Sequence, residues 1–225
     1  PAPLAMINNS ASMLELWHGP TCAFKDMALQ LLPYLLTTSA KKVADGKTMV
    51  ILVATSGDTG KAALDGFADV ENTKILVFYP VDGVSPMQKL QMTTQTGSNV
   101  AVCAIEGNFD DAQTGVKKIF TNDDMRNLLK ENNMEFSSAN SINFGRLVPQ
   151  IVYYVSAYCD LVKSGRLSDG DKFNVVVPTG NFGNILAAYY AKQMGIPIGK
   201  FICASNKNNI LTDFINTGVY DRNRD

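Results

Sequence analysis

The feature that most constrains this chain is the alternation of short, β-branched apolar runs with longer segments of helical periodicity. Each run is continuously apolar, which is typical of strands buried on both faces of a parallel sheet. The predicted strands are 49–54, 75–79, 100–105, 173–177 and 201–204. The predicted helices are 61–68, 87–94, 112–120, 146–162 and 185–194. This alternation predicts an α/β fold with doubly wound, mostly parallel sheets.

A further helix is predicted to begin near Asp26, and Pro33 is expected to kink it or to end its regular hydrogen bonding. No linker rich in Gly, Ser or Pro divides the chain, so two domains would require the chain to cross between them more than once. We predict a smaller α/β domain at 49–136. The larger domain is then assembled from 1–48 and 137–225.

The composition excludes several classes of protein. The chain has 225 residues, a net charge of -1 and a charged fraction of 18%, so no basic surface indicates nucleic acid or an anionic membrane. No apolar run approaches the roughly 20 residues that a membrane-spanning helix needs. The four cysteines form no C-x-x-C pair and there is one histidine, which argues against a metal site. Isolated cysteines in apolar runs indicate a reducing compartment, and we expect a cytoplasmic protein.

One candidate anion site lies between a predicted strand and a predicted helix. Backbone amides at a helix N-terminus, together with the positive end of the helix dipole, suit one phosphate group. The alternative is an ordinary tight turn, and the dinucleotide fingerprint G-x-G-x-x-G is absent. The segment reads Pro178-Thr179-Gly180-Asn181-Phe182-Gly183-Asn184.

A second polar loop has the same position between a strand and a helix. It resembles a Walker A loop but fails twice, because Thr55 replaces the first glycine and Ala62 follows the lysine. The loop suits a carboxylate or a small phosphate, or else Ser56, Asp58 or Thr59 is simply a helix cap. The segment reads Ala54-Thr55-Ser56-Gly57-Asp58-Thr59-Gly60-Lys61.

Two cationic side chains are further candidates. Lys25 lies among apolar neighbours where a loop enters a helix, and partial burial would favour the neutral amine that a Schiff base requires. Arg146 follows the polar cluster around Asn143 at the head of a helix, where a guanidinium group can bind a phosphate or carboxylate with two hydrogen bonds. The alternative for both is an ordinary surface cation.

Four segments, in this order, resemble the threonine synthase family, with the bacterial and fungal branch the nearest. The first segment, 14–26, contains Lys25 and resembles the family's Schiff-base lysine segment. The second is 54–60, the third is 138–143 with Arg146, and the fourth is 180–184. The resemblance extends over nearly the whole chain.

This resemblance implies a fold-type-II pyridoxal-phosphate (PLP) enzyme, similar in fold to the tryptophan synthase β-subunit. Lys25 would carry PLP through a Schiff base and move protons, and Gly180, Asn181, Phe182, Gly183 and Asn184 would hold the PLP phosphate. The loop Ser56-Gly57-Asp58-Thr59 would bind the substrate carboxylate. Lys61, Asn143 and Arg146 are the candidates for the substrate phosphate.

The implied reaction converts O-phospho-L-homoserine and water to L-threonine and phosphate, a lyase step of amino-acid biosynthesis. Other fold-type-II enzymes, such as a serine/threonine dehydratase or a cysteine-synthase-like enzyme, remain alternatives, as does a non-catalytic PLP-binding relative. Family members carry N-terminal and C-terminal regions beyond the part that this chain resembles. We therefore expect this polypeptide alone to be inactive.

Overall fold

The computed structural model describes residues 2–140 and 143–221, which form an α/β structure. Ser141 and Ile142, part of the third family-like segment, and the final residues 222–225 lie outside the described residues. The strands are β1 (Leu4–Met6), β2 (Ser12–Leu14), β3 (Thr48–Ala54), β4 (Thr73–Pro80), β5 (Val100–Ile105), β6 (Met134–Ser137), β7 (Phe173–Pro178) and β8 (Ile198–Ala204). The helices are α1 (Asp26–Val43), α2 (Asp58–Phe67), α3 (Pro86–Thr93), α4 (Phe109–Thr121), α5 (Asp123–Glu131), α6 (Phe144–Lys163), α7 (Gly183–Gln193) and α8 (Ile210–Thr217).

Backbone contacts divide the chain into two compact units, Pro1–Tyr153 and Tyr154–Asp225. The first unit contains a four-stranded sheet of order β5-β4-β3-β6, in which every neighbouring pair is parallel. This sheet lies within 48–137, close to the predicted smaller domain. The assignment of the two flanking segments to one larger domain stays a prediction.

The parallel arrangement determines where the loops of the first unit meet. Strands β3, β4 and β6 run in the same direction, so their carboxyl ends lie at one edge of the sheet. The loop after β3 leads into α2, the loop after β4 leads into α3, and the loop after β6 leads towards α6. Three helix N-termini therefore begin from the same edge.

The core of the first unit packs helices α1 and α2 with the central strands. Leu29 and Leu32 of α1 lie in one buried cluster with Leu64 and Phe67 of α2 and Ile51 of β3. Such burial contributes about 1.5–3 kcal/mol for each large apolar side chain. This packing explains why α1 continues past Pro33 to Val43, although proline lacks the N–H donor of a helix interior. Pro33 therefore lies inside a continuous helix, and the expected kink or local loss of hydrogen bonding stays a prediction.

The second unit contains β7 and β8, which pair in parallel, and α7, which packs against both strands. Val175 and Val177 are buried, whereas Val176 is 64% exposed and Ile202 is 47% exposed. The sequence predicted burial on both faces, and this is wrong for β7 and β8 in the described structure. It is also wrong for β5, which is an edge strand with several exposed residues.

Candidate functional site

The loop before Lys25 is organised by the side chain of Asp26. The buried carboxylate accepts hydrogen bonds from the amide of Thr21 at 2.9 Å, from the Thr21 hydroxyl and from the amide of Ala23 at 3.3 Å. A Cβ atom at Gly19 would overlap the Asp26 side chain, so the chain needs glycine there. The carboxylate thus folds the loop back onto the start of α1, where Lys25 occupies the N-cap position.

The side chain of Lys25 is largely buried, with 13% of its surface exposed. Its Nζ atom lies 3.5 Å from Oδ2 of Asp58 and 4.7 Å from the centre of the Phe24 ring. Burial lowers the pKa of Lys25, Asp58 opposes this shift, and the positive charge of Arg146 lowers the pKa further. The environment therefore favours the neutral amine more than a surface site would.

Tyr153 of α6 supports the same loop from another direction. Its hydroxyl group donates a hydrogen bond to the carbonyl oxygen of Phe24, the residue before Lys25. Burial raises the pKa of Tyr153 to about 12, and the negative charge of Asp26 adds to this effect. The hydroxyl group therefore remains a protonated donor at neutral pH.

The loop after β3 is held by Thr55 rather than by the predicted capping residues. The buried Thr55 hydroxyl accepts hydrogen bonds from the amides of Gly57 at 3.0 Å and Gly60 at 2.9 Å. Helix α2 begins without a side-chain cap, and Ser56 is exposed. The capping interpretation of Ser56, Asp58 and Thr59 is therefore wrong. These residues stay candidates for substrate contacts.

Asp58 connects this loop with the following helix. Nε2 of Gln88, in the first turn of α3, donates a hydrogen bond to Oδ1 of Asp58 at 2.6 Å. Oε1 of Gln88 accepts from the amide of Ser85 at 3.1 Å, as part of a capping box. Gln88 also lies against Gly57, whose φ is 146° and where a Cβ atom would overlap the Gln88 amide group. Gln88 therefore holds both the loop and its carboxylate.

Arg146 in the first turn of α6 is 4% exposed. Its Nη1 atom donates to the carbonyl oxygen of Ala139 at 2.9 Å, and its buried Nε atom has no hydrogen-bond partner among the described residues. Within 2–140 and 143–221 it makes no ion pair with a carboxylate. Burial lowers the pKa of Arg146 to about 10. A buried, uncompensated guanidinium group is costly, so an anion would stabilise it.

The other two candidates for the substrate phosphate make contacts within the protein. Asn143 accepts from the amide of Gly145 at 2.9 Å and donates to the carbonyl oxygen of Ser138 at 2.8 Å, so its amide group organises the start of α6. Lys61 contacts the side chain of Gln95 and lies 3.8 Å from a carboxylate oxygen of Asp65. Arg146 is therefore the strongest of the three candidates.

The second unit contains the predicted PLP-phosphate loop, at the start of α7. Phe182 is the N-cap residue with φ of 64°, Gly180 has φ of 44°, and no side chain caps the helix. The hydroxyl group of Tyr154 contacts the carbonyl oxygen and the side-chain oxygen of Asn184. Residues of the loop line a cavity together with Asn208 and Tyr220. The uncapped amides are suited to an anion.

Lys25, Asp58 and Arg146 thus interact within the first unit, while Gly180, Asn181, Phe182, Gly183 and Asn184 belong to the second. Sequence reasoning did not assign roles to Asp26, Gln88 and Tyr153. Gln88 lies in the helix predicted at 87–94, but nothing in the sequence indicated its contact with Asp58. Among the described residues, no group of three or more His, Cys, Asp or Glu side chains is arranged to bind a metal. In the same residues, no helix is both long and apolar enough to cross a membrane.

Comparison with known proteins gives a consistent family. The model of a family described as pyridoxal-phosphate dependent enzyme matches residues 13–224. The chain is 50% identical over 226 aligned residues to "Threonine synthase-like 1" of Homo sapiens, covering 98% of this chain and 30% of that protein. It is 44% identical over 221 residues to the threonine synthase of Pseudomonas aeruginosa, covering 98% of this chain and 45% of that protein.

Among solved structures, the chain is similar to a PLP-bound threonine synthase from Brucella melitensis. The TM-score is 0.85 at 41% sequence identity, and the match covers 98% of this chain and 45% of that one. The chain therefore spans less than half the length of each of these relatives. The predicted fold class and the predicted cofactor are confirmed by these matches.

Proposed function

This chain belongs to the pyridoxal-phosphate dependent enzyme family, and on that basis we propose that it serves the conversion of O-phospho-L-homoserine and water to L-threonine and phosphate. The observation that carries this proposal is the buried guanidinium group of Arg146. Within the described residues its Nε atom has no hydrogen-bond partner, and no carboxylate forms an ion pair with it. A substrate that carries a phosphate group would supply the missing anion. The similarity to threonine synthases gives further support.

Lys25 is proposed as the residue that attaches PLP and moves protons at the reacting carbons. Its largely buried amine has a lowered pKa, which increases the fraction of neutral amine available as a nucleophile and base. When bound, PLP supplies an electron sink that stabilises negative charge on the substrate carbon. Asp26 and Tyr153 hold the loop on which Lys25 lies, so the amine keeps a defined position.

Two other anionic groups need separate positions. The uncapped start of α7, Gly180 to Asn184, fits the phosphate group of PLP because its backbone amides and dipole attract an anion. The loop from Ser56 to Thr59, at the start of α2, is the candidate for the substrate carboxylate. The amides of Gly57 and Gly60 already donate to Thr55, so the hydroxyl groups of Ser56 and Thr59 and the positive end of the helix dipole would bind it. Arg146 would then bind the substrate phosphate, and holding these groups apart orients the bond that breaks.

A second candidate is a PLP-binding protein that does not perform this reaction. It is favoured by the 50% identity to a protein named threonine synthase-like rather than threonine synthase. This candidate shares the lysine and the PLP-phosphate loop with the first. It differs in whether a phosphorylated amino acid is a substrate. The predicted cytoplasmic location stays a prediction for both.

The test begins with cofactor attachment. Incubation with PLP, borohydride reduction and peptide mass spectrometry should place the cofactor on Lys25, and the Lys25→Ala variant should not be labelled. Lys89→Ala, which changes an exposed lysine of α3, is the matched control. Labelling elsewhere, or none, would contradict the assignment of Lys25.

Substrate choice is then measured on the PLP-loaded protein. Calorimetry should show that O-phosphohomoserine binds more tightly than serine, and that Arg146→Met removes this preference. Release of phosphate together with threonine would establish the reaction, whereas release of ammonia from serine would indicate a dehydratase. Equal binding of the two amino acids would refute the role of Arg146. Because this polypeptide alone is expected to be inactive, tight binding of the phosphorylated amino acid without phosphate release favours the second candidate only when a longer chain with the family's N-terminal and C-terminal regions gives the same result.

A further inference from the structure

Gln88 makes a contact that helix capping alone does not require. One end of its amide completes the capping box of α3 through the amide of Ser85. The other end donates to Asp58 at 2.6 Å, across the gap between two successive helix N-termini. Because β3 and β4 are parallel neighbours, the two helices begin at the same edge of the sheet. The contact is therefore a consequence of the fold and not of local sequence.

Asp58 has two oxygens with different partners. Oδ1 accepts from Gln88, while Oδ2 lies 3.5 Å from Nζ of Lys25. The Asp58 side chain is 51% exposed, so little packing restricts its rotation. The short hydrogen bond from Gln88 restrains this carboxylate at one oxygen, and the restrained orientation directs the second oxygen towards Lys25.

We propose that Gln88 is a positioning residue for Lys25, which acts through Asp58 by keeping that carboxylate beside the amine. The series of contacts from Ser85 through Gln88 and Asp58 to Lys25 influences the proton affinity of the Lys25 amine. The proposal rests on the proposed function only in treating Lys25 as the lysine that attaches PLP. The electrostatic relationship itself exists in the free protein.

The charges around Lys25 determine the sign of the effect. Asp58 from α2 and Asp26 from α1 favour the protonated amine, whereas Arg146 from α6 and burial favour the neutral amine. Loss of the Gln88 contact frees Asp58 to rotate into solvent, so Lys25 loses part of its counter-charge while Arg146 stays buried. The titration midpoint of Lys25 should then fall. Loosening of the structure would instead expose Lys25 to water and raise the midpoint towards 10.5.

The experiment is competitive acetylation of the full chain without cofactor, across a pH series, with the labelling of Lys25 quantified by mass spectrometry. Asp58→Asn should lower the midpoint of Lys25 by about 0.5 pH unit, the size typical of a partly exposed ion pair. Gln88→Leu should lower it in the same direction by a smaller amount. The double variant should match Asp58→Asn alone, because Gln88 acts only through that carboxylate.

Gln91→Leu is the matched control, because Gln91 lies on the same helix and its side chain makes no hydrogen bond within the described part of the chain. The titration midpoint of Lys25 in the Gln91→Leu variant should equal that in the unchanged protein. The proposal is overturned if Gln88→Leu leaves the midpoint unchanged or raises it, or if the two substitutions are additive. PLP labelling of Lys25 is measured separately in the unchanged protein. Failure of that labelling would refute the proposed function and leave the Gln88 result standing.

Discussion

Lys25 and Arg146 are two largely buried cations in the same unit: burial lowers the pKa of Lys25, and the positive charge of Arg146 lowers it further. Asp58 offsets part of this effect at Lys25, but no carboxylate pairs with Arg146 within residues 2–140 and 143–221. A protein that buries the Arg146 guanidinium group without a carboxylate partner in these residues is prepared for an anionic ligand. The arrangement lowers the free energy of unfolding of the free protein and favours the binding of an anion.

Replacing Arg146 with methionine should stabilise the free protein. The substitution removes a buried, uncompensated charge and keeps an apolar side chain of similar length, so we expect the free energy of unfolding to rise by about 1–3 kcal/mol. Inorganic phosphate should raise the melting temperature of the unchanged protein but not that of the variant. Urea denaturation and thermal scans measure both effects. Arg126→Met, at an exposed position of α5, is the control and should change neither.

Lys25→Met should show a stabilising effect that decreases as the pH rises. The folded-state pKa of Lys25 lies below its ordinary value of 10.5, so between these two values the unfolded chain holds a proton that the folded protein has lost. The stability of the unchanged protein therefore rises with pH in this window. Urea denaturation at several pH values would measure the difference between the two proteins. A difference that grew with pH would contradict the lowered pKa.

Tyr153→Phe should cost about 1 kcal/mol of stability below pH 10, because it removes a buried hydrogen bond to the Phe24 carbonyl oxygen. The folded-state pKa of Tyr153 is raised to about 12 from 10.0. The contribution of the tyrosine is therefore complete below pH 10 and is lost as the pH rises through 12. Parallel denaturation of the two proteins at pH 8 and pH 11 tests this. Tyr34→Phe, at an exposed position of α1, is the control and should leave the free energy of unfolding at pH 8 unchanged.

Asp26→Asn should weaken the lysine loop. An asparagine side chain has one acceptor oxygen in place of two, so it cannot accept all three hydrogen bonds from Thr21 and Ala23. We expect a loss of about 1–3 kcal/mol in the free energy of unfolding. Slower attachment of PLP to Lys25, followed by borohydride trapping, should accompany this loss. Asp82→Asn, in an exposed loop, should leave both properties unchanged.

The helices and strands illustrate how much could be predicted locally. Strand β5 was predicted at its observed bounds, and β3 and β4 within one or two residues, because continuous runs of β-branched and apolar residues mark strands in the sequence itself. Five elements were missed. Strands β1, β2 and β6 are only three or four residues long, so their sequences lack a clear apolar pattern. Helix α5 has no buried residue and follows α4 after one residue. Helix α8 also has no buried residue among those described.

The candidate site shows the same division. The sequence by itself determined the α/β class through the local order of strand, loop and helix, and its resemblance to a known family selected the lysine, the two polar loops and the arginine as candidates. Only the tertiary structure decided that Gln88 holds Asp58, that Tyr153 binds the carbonyl oxygen of Phe24, and that Thr55 rather than Ser56 organises the loop after β3. The contacts of Gln88 and Tyr153 join residues 30 and 129 positions apart. The Gln88 contact depends on how parallel strands bring separate loops to one edge, and the Tyr153 contact on how α6 lies beside the loop before α1; no local pattern specifies either.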